Sequence, residues 1–461
     1  MIAIVGRPNV GKSTLFNKLI GKRYSITSHL PGTTRDRVSH LTHFGSFSAI
    51  LVDTGGLDFE AKSDLEEDVY TQAQIAIQDA DLIYFVVDSS EELTTSDYEA
   101  ATLLRKSKKT VFLVVNKCDA RREEHYNFYE LGFGDSFSIS ALHNYGIDEL
   151  RNKTEKIFLK DNFKPYRVEK DRSSIGLAFL GRPNVGKSSL VNALLGEKRL
   201  IVSATPGTTV DATDTEIVVR KDKFVLIDTA GLRRRGKIEG GVERYSSFRA
   251  LQALYRADIA LLVLDHNDGI NKQDCHVSQY VLEAGKGLII VVNKSDTMED
   301  AEKDRDRYIH QLMRKMSYVP WAPVIFVSAL TKENIFTLFE LALNITIERQ
   351  KRIDDRELML FITHLIAQKP PPSKGKSFVK ITKAKQTNTE PPEFTFVSNH
   401  PDSIHFSYRR FIENELRKKY SFNGTALRLR FRNRLDRDQA DKESPLRAKN
   451  ARENSSRRSR S

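Results

Sequence analysis

The chain has 461 residues, 39 % of them hydrophobic, with 73 Lys and Arg against 61 Asp and Glu for a net charge of +12. That length fits about three domains, and no apolar run reaches the roughly 18 residues of a membrane span. The two cysteines, Cys118 and Cys275, offer no disulfide framework and fit a reducing cytosol, each packing as a small apolar residue.

Met1 opens directly into Ile2–Val5, a short apolar run that reads as a buried strand and leaves no room for a signal or transit peptide. The run ends in Gly6-Arg7-Pro8-Asn9-Val10-Gly11-Lys12-Ser13, after which Lys12–Ile20 reads as a helix. Pro31-Gly32-Thr33-Thr34 follows in a loop. Ile50–Asp53 is a strand running into Asp53-Thr54-Gly55-Gly56. Leu82–Asp88 and Val111–Asn116 are nearly continuous apolar strands, the second leading into Asn116-Lys117-Cys118-Asp119, and Ser140-Ala141 closes the series. Residues 161–174 are charged, contain Pro165 and lack periodicity, and are read as a linker.

The pattern then returns. Leu177–Leu180 is a strand ending in Gly181-Arg182-Pro183-Asn184-Val185-Gly186-Lys187-Ser188, identical to the first octet, and Lys187–Leu195 is its helix. Pro206-Gly207-Thr208-Thr209, Asp228-Thr229-Ala230-Gly231, Asn293-Lys294-Ser295-Asp296 and Ser328-Ala329 recur in the same order, with strands expected at Val225–Asp228, Ile259–Asp265 and Leu288–Asn293. The spacing is 175 from Lys12 to Lys187, 177 from Asn116 to Asn293 and 188 from Ser140 to Ser328, so the later drift locates an insertion of 11 residues after Asn293, around Ala301–Arg314. Tandem duplication is the reading. Apolar strands alternating with helices predict α/β domains with mostly parallel, doubly wound sheets. Ligands bind such sheets beyond the carboxyl ends of the strands, where most of these motifs fall.

The organisation expected is a first nucleotide-binding domain over 1–160, the linker, a second over 175–350, a third domain over 351–435 and a basic, disordered tail over 436–461. The third domain reads as αββαβ: a helix at Arg352–Ile366, strands at Phe378–Ala384 and Phe394–Val397, a helix at Ser407–Lys419 and a strand at Ala426–Phe431. Of the basic residues, 26 fall in 351–461 against 13 acidic ones, so the whole positive excess belongs to this last quarter. A basic module beside neutral ones suits a polyanion such as nucleic acid, with a solubilising face as the bland alternative.

Each octet is the G-x-x-x-x-G-K-S pattern whose backbone N–H groups cradle phosphates; Lys12 and Lys187 reach the β- and γ-phosphates, and Ser13 and Ser188 hold Mg2+. Asp53 and Asp228 suit the Mg2+ shell, and Gly56 and Gly231 let a backbone N–H approach the γ-phosphate. The carboxylates of Asp119 and Asp296 accept the paired donors of guanine, which adenine lacks, so an ATPase is disfavoured. The stems of Lys117 and Lys294 lie along the base, while Ser140-Ala141 and Ser328-Ala329 offer a backbone N–H to its O6. Thr34 and Thr209 complete Mg2+ coordination when the γ-phosphate is present and release afterwards.

This set in this order resembles the translation-factor class of P-loop GTPases. The duplication and the appended basic domain narrow the resemblance to the Der (EngA) family of bacterial tandem GTPases, over about residues 1–435. The resemblance implies GTP hydrolysis with GTP/GDP and Mg2+, a KH-like third domain, and a cytoplasmic monomer that acts with the large ribosomal subunit and its rRNA and touches no membrane. The GxxG loop of a nucleic-acid-clamping KH domain is missing, since Gly375 and Gly424 stand alone; Lys374, Lys376, Lys380, Arg409, Arg410, Arg428 and Arg430 are candidates for phosphate contacts instead. Leu57 and Leu232 follow the D-x-x-G where many GTPases carry a water-orienting glutamine, so slow intrinsic turnover is expected. By resemblance Asn9 and Asn184 are candidates to bind K+, with a simple loop role as the alternative. Arg233-Arg234-Arg235-Gly236-Lys237 gives the second copy a basic loop where the first has Asp58-Phe59-Glu60. The rival readings are a scaffold that uses GTP structurally and a tRNA-modifying or membrane-linked GTPase, and the tandem arrangement argues against the latter.

Overall fold

The structure is a computed structural model that describes residues 1–20, 39–54, 74, 76–118, 126–161, 163, 174–196, 201–203, 214–229, 246–372 and 379–433. The chain falls into two compact units, one built on the first nucleotide-binding domain and one on the second together with the C-terminal domain.

In the first unit, β1 (Ile2–Val5) runs into α1 (Lys12–Ile20), then β2 (Ser39–Phe44), β3 (Phe47–Asp53), β4 (Leu82–Asp88), α2 (Thr95–Lys106), β5 (Thr110–Asn116), β6 (Ser136–Ser138) and α3 (Ile147–Lys160). The six strands lie in the order β2-β3-β1-β4-β5-β6. All neighbours are parallel except β2 and β3. Every residue of β1 and β4 is buried, as expected of strands covered on both faces. Ile2, Ile4, Leu15, Phe16, Leu19, Tyr84 and Leu150 share its core; each such side chain contributes about 1.5–3 kcal/mol by leaving water.

The second unit repeats the plan with β7 (Ser174–Leu180), α4 (Lys187–Leu195), β8 (Ile201–Ser203), β9 (Thr215–Val219), β10 (Asp222–Leu226), the part from Ala253 onward of α5 (Ser246–Arg256), β11 (Ile259–Asp265), α6 (Lys272–Ala284), β12 (Gly287–Asn293), α7 (Ala301–Lys315), β13 (Val324–Phe326) and α8 (Thr337–Gln350). Its seven strands run β13-β12-β11-β7-β10-β9-β8. Two sequence expectations need correction. The strand expected to reach Asp228 stops at Leu226, and Ser174, assigned to the linker, opens β7. The inserted segment after Asn293 is α7; the first domain has a 3-10 turn at Tyr126–Leu131 in that part of its chain.

The C-terminal part is αββαβ: α9 (Asp355–Gln368), β14 (Ile381–Thr389), β15 (Pro392–Ser398), α10 (Phe406–Tyr420) and β16 (Arg428–Arg432). β14 pairs antiparallel and β16 parallel with β15. The first strand begins and ends later than the sequence reading placed it, because its pairing with β15 runs on past a register shift between Gln386 and Asn388 to Thr389, opposite Pro392.

This small domain is stitched to the second nucleotide-binding domain by backbone. Leu288 N–H donates to the Gly424 carbonyl at 2.8 Å and Gly424 N–H to the Trp321 carbonyl at 2.9 Å. Arg349, 3 % exposed, donates through Nη1 to the Gly285 carbonyl at 3.0 Å and to Thr425 Oγ1 at 3.3 Å. Glu348 takes the Phe422 N–H at 2.6 Å and Lys351 Nζ at 2.8 Å, and the Arg417 guanidinium lies 5.0 Å from the Trp321 ring centre. A buried cation with Nη1 bonded to both sides of the junction is held firmly, since an unpaired one costs several kcal/mol.

Candidate nucleotide sites

Both phosphate loops sit between the buried end of a strand and the helix that follows, and they share one backbone path. Gly11 and Gly186 both have φ +92, and a Cβ on either would sit 2.3 or 2.1 Å from the side-chain nitrogen of Asn116 or Asn293. Only glycine fits there. Asn9 and Asn184, at φ +66 and +62, occupy the left-handed region that asparagine tolerates better than most residues, so the backbone alone accounts for their type. Val10 and Val185 are fully buried beneath the loops, while Pro8 is exposed and Pro183 half-buried.

Lys12 and Lys187 fold back over their loops. Lys12 Nζ donates to the Arg7 carbonyl at 2.6 Å, and Lys187 Nζ donates to the Gly181 carbonyl at 2.7 Å and to the Arg182 carbonyl. Burial pulls the Lys12 ammonium down to about 8, Asp53 opposing and Arg7 assisting. A phosphate entering the loop would replace carbonyl partners with a full anionic charge.

Arg7 and Arg182 belong to the octets whose backbone N–H groups are read as the phosphate cradle, and their guanidinium groups serve the scaffold. Arg7 Nη2 reaches Glu91 at 2.6 Å and its Nε lies 3.3 Å from Asp97. Arg182 Nε donates to both oxygens of Asp274, at 3.0 and 3.1 Å, and Nη2 to the Gly269 carbonyl at 3.1 Å. Asp97 and Asp274, 2 % and 0 % exposed, also accept the N–H of Thr94 and Asn271, each at 3.0 Å, in the capping boxes of α2 and α6. One buried carboxylate thus caps a helix and steadies the phosphate loop.

On the base side, Asn116 Nδ2 donates to the Val10 carbonyl at 2.9 Å and its Oδ1 accepts the Ala141 N–H at 3.0 Å. Asn293 does the same with Val185 at 3.0 Å and Ala329 at 3.2 Å. The asparagine is therefore a strap from the phosphate loop to the Ser-Ala loop, and the alanine amides expected to serve guanine O6 already donate to it. Lys117 and Lys294, at φ +68 and +66, pair through Nζ with buried Asp88 and Asp265 at the ends of β4 and β11. Burial works against ionisation of Asp88, yet Lys117 and Ser90 hold its carboxyl below the usual range. Ser140 Oγ accepts the His143 N–H at 3.3 Å, and Ser328 Oγ donates to Asp296, fixing the carboxylate read as the guanine selector.

On the metal side, Ser13 Oγ donates to Asp53 Oδ2 at 2.6 Å, while Thr54 Oγ1 anchors to the Ile4 carbonyl at 2.8 Å. A hydroxyl and a carboxylate side by side at the phosphate loop are the hard oxygen donors Mg2+ accepts, with phosphates and water completing the shell; the residues fit the ion. Asp228 takes a different path, with φ +56 and its N–H donated to Asp214 Oδ1 at 3.0 Å. Ser188 is half-buried, and Thr229 Oγ1 shares a hydrogen bond with Thr215 Oγ1 at 2.7 Å. Thr34, Gly55, Gly56, Leu57, Asp119, Thr209, Ala230, Gly231 and Leu232 lie outside the described residues, as do Arg233–Arg235, Lys374 and Lys376.

Sequence reasoning missed Asp88, Asp97, Asp265 and Asp274. Their signal was available: Asp88 and Asp97 recur at Asp265 and Asp274 with the same spacing of 177 that relates Asn116 to Asn293. No catalytic pattern picks them out, because their work is orientation.

The family model described as 50S ribosome-binding GTPase matches residues 1–117 and again 176–294, and that described as the KH-domain-like C-terminal part of EngA bacterial GTPase enzymes matches 352–432. A GTPase Der of Thermomicrobium roseum is 44 % identical over 444 residues, covering 94 % of this chain and 96 % of the relative. A GTPase Der of Clostridium perfringens (strain SM101) is 43 % identical over 438 residues, covering 95 % and 99 %. The chain belongs to the GTPase Der family. As a Der-family protein it binds guanine nucleotide and hydrolyses GTP, on two P-loop GTPase domains followed by a KH-like domain. Among solved structures, Era in complex with MgGDPNP and nucleotides 1506–1542 of 16S ribosomal RNA matches at 22 % identity with a TM-score of 0.29, covering 57 % of this chain and 93 % of that one. The G domain of the T. maritima FeoB iron transporter matches at 25 % identity with a TM-score of 0.25, covering 37 % and 98 %. Among the described residues no helix is long and apolar enough to cross a membrane.

Proposed function

We propose that the chain is a GTP-binding and GTP-hydrolysing factor in assembly of the large ribosomal subunit, with nucleotide state controlling domain packing and ribosome association. The observation that carries this reading is the union of the second GTPase domain with a basic sheet. β12 is bonded to the C-terminal domain at Leu288 and delivers Asn293 and Lys294 to the base side of the second site. Beyond that junction, Lys385, Thr395 and Arg430 form one cross-strand row and Lys383, Val397 and Arg432 the next. Lys385 pairs with Asp355 at 3.3 Å and Arg430 with Glu393 at 2.8 Å; the added positive charge of Lys383 and Arg432 suits an RNA backbone, and the family model's description as a 50S ribosome-binding GTPase supports the large subunit as its bearer.

In this reading the domains span 1–160, 175–350 and 351–435. Lys12 and Lys187 take the β- and γ-phosphates, and Asp119 and Asp296 select guanine. Ser13, Thr34 and Asp53, and Ser188, Thr209 and Asp228, would hold Mg2+, which supplies neutralisation of developing phosphate charge. Gly56 and Gly231 present backbone N–H groups to the γ-phosphate, and a positioned water is the nucleophile. Turnover is slow because Leu57 and Leu232 offer that water no polar group; K+ at Asn9 and Asn184 relieves this. The protein works in the cytoplasm as a monomer.

The test is binding of the purified chain to ribosomal subunits with a GTP analogue, GDP and no nucleotide at fixed physiological salt. Large-subunit binding only with the GTP analogue is expected. Binding indifferent to nucleotide would overturn the switch and leave the basic domain a constitutive RNA anchor.

A further inference from the structure

Both GTPase domains carry an Asp-Thr pair on the magnesium side, in Asp53-Thr54-Gly55-Gly56 and Asp228-Thr229-Ala230-Gly231, yet the two carboxylates are held differently. β3 continues through Asp53, which pairs with Ile4 in the parallel register. β10 stops at Leu226, and Asp228 turns into the left-handed region with its N–H bound by Asp214 Oδ1 at 3.0 Å. Asp214 immediately precedes β9, and its side chain is only 2 % exposed. Its other oxygen, Oδ2, pairs with Arg256 Nη2, at the end of α5. The first domain has Ser39 in place of Asp214 and Asp79 in place of Arg256, by the same spacings of 175 and 177 that relate the motifs. There the hydroxyl of Ser39 and the Oδ2 of Asp79 are buried without a hydrogen-bond partner among the described residues. The carboxylate, its arginine and the displaced backbone therefore occur together in one domain.

We propose that Asp214 is a positioning residue that sets the Mg2+ dependence of GTP binding at the second site. It holds the backbone of Asp228 in the left-handed conformation, and Arg256 fixes the carboxylate that does so. For Asp228 to present its carboxylate as Asp53 does beside Ser13, the Asp228 N–H must leave Asp214. A hydrogen bond to a charged acceptor opposes that change, so the second site needs more Mg2+ to load than the first, although the phosphate-loop octets are identical and both metal-side motifs open on Asp-Thr. The inference rests on the reading of Asp228 as a Mg2+ ligand.

The test uses the full chain carrying Lys12→Ala, so that only the second site is read, and titrates a fluorescent GTP analogue and its GDP counterpart across Mg2+ concentrations. Asp214→Ser, the first domain's residue, should lower the half-saturating Mg2+ for the GTP analogue by about tenfold, the size of one charge-assisted hydrogen bond, and move GDP less. Asp214→Asn, which keeps the shape but loses the ion pair, should shift it in the same direction by less, and serves alone if the serine variant fails to fold. An unchanged Mg2+ midpoint in the folded variants overturns the proposal, as does an equal loss of GTP and GDP affinity with a lowered Tm, the mark of a purely structural role. Asp228→Asn separates the two readings: if it leaves the Mg2+ dependence of the parent intact, the ligand assignment itself has failed; if it abolishes that dependence while Asp214 variants do nothing, only the positioning role has failed.

Discussion

The N–H of Leu288 donates to the carbonyl of Gly424 at 2.8 Å, so the strand that ends in the second guanine-side motif begins against the C-terminal domain. Gly424 sits at φ +71, and a Cβ there would lie 2.3 Å from Ile345 Cγ1. Gly424→Val should destabilise the second unit by about 2 kcal/mol, through overpacking and the lost left-handed conformation. Calorimetry should show the transition of the second unit falling by several degrees while that of the first stays in place.

The Lys12 ammonium gives the first site a pH signature. Its folded value of about 8 lies below the ordinary 10.5. Between those values the unfolded chain holds more protons, so the first domain gains stability as pH rises through the window and loses that gain on descent. Phosphate acts oppositely, because it favours the charged lysine. GTP binding should take up a proton above pH 8, and affinity should fall roughly eightfold from pH 7.5 to 9 in a chain carrying Lys187→Ala. Titration calorimetry in buffers of different ionisation enthalpy reads both effects; a pH-independent affinity would sink the argument.

Asn116 and Asn293 are straps. Asn116→Ala leaves the Val10 carbonyl and the Ala141 N–H without their buried partner, and should cost the first site about 2–3 kcal/mol of nucleotide affinity. Asn293→Ala should do the same at the second. Each should leave the other site's affinity unchanged in equilibrium binding.

Asp97→Ala should lower the stability of the first domain by about 2–3 kcal/mol, since it removes a helix cap and the buried partner of Arg7 together. Asp97→Asn, which can still accept from the Thr94 N–H, should recover part of the loss. Thermal unfolding of both variants distinguishes this from a surface ion pair, which would change little.

The K+ reading can be separated from the backbone role of the same residue. Asn184→Gly and Asn9→Gly keep the left-handed φ while deleting the amide. Both should fold, and both should reduce the difference between GTP turnover in K+ and in Na+ buffers. Equal turnover of the unmodified chain in the two salts would remove K+ from the mechanism.

The sequence by itself determined which chemistry is present and how often. The octet at Gly6 and Gly181, the nearly continuous apolar runs of β4 and β11, and the αββαβ alternation after Lys351 are local patterns, and local patterns survive in one dimension because strand burial, glycine turns and helix periodicity are near-neighbour effects. Tertiary structure decided what those patterns touch. That Arg7 turns away from its own loop to Asp97, that Asn116 straps Val10 to Ala141, and that Gly424 closes on Leu288 all depend on residues dozens of positions apart meeting through strand order. The contrast between Asp53 and Asp228 is of the same kind. Both motifs open on Asp-Thr, and the backbone differs because the buried carboxylate of Asp214, just ahead of the neighbouring strand β9, competes for one N–H, a contest that only the folded chain can stage.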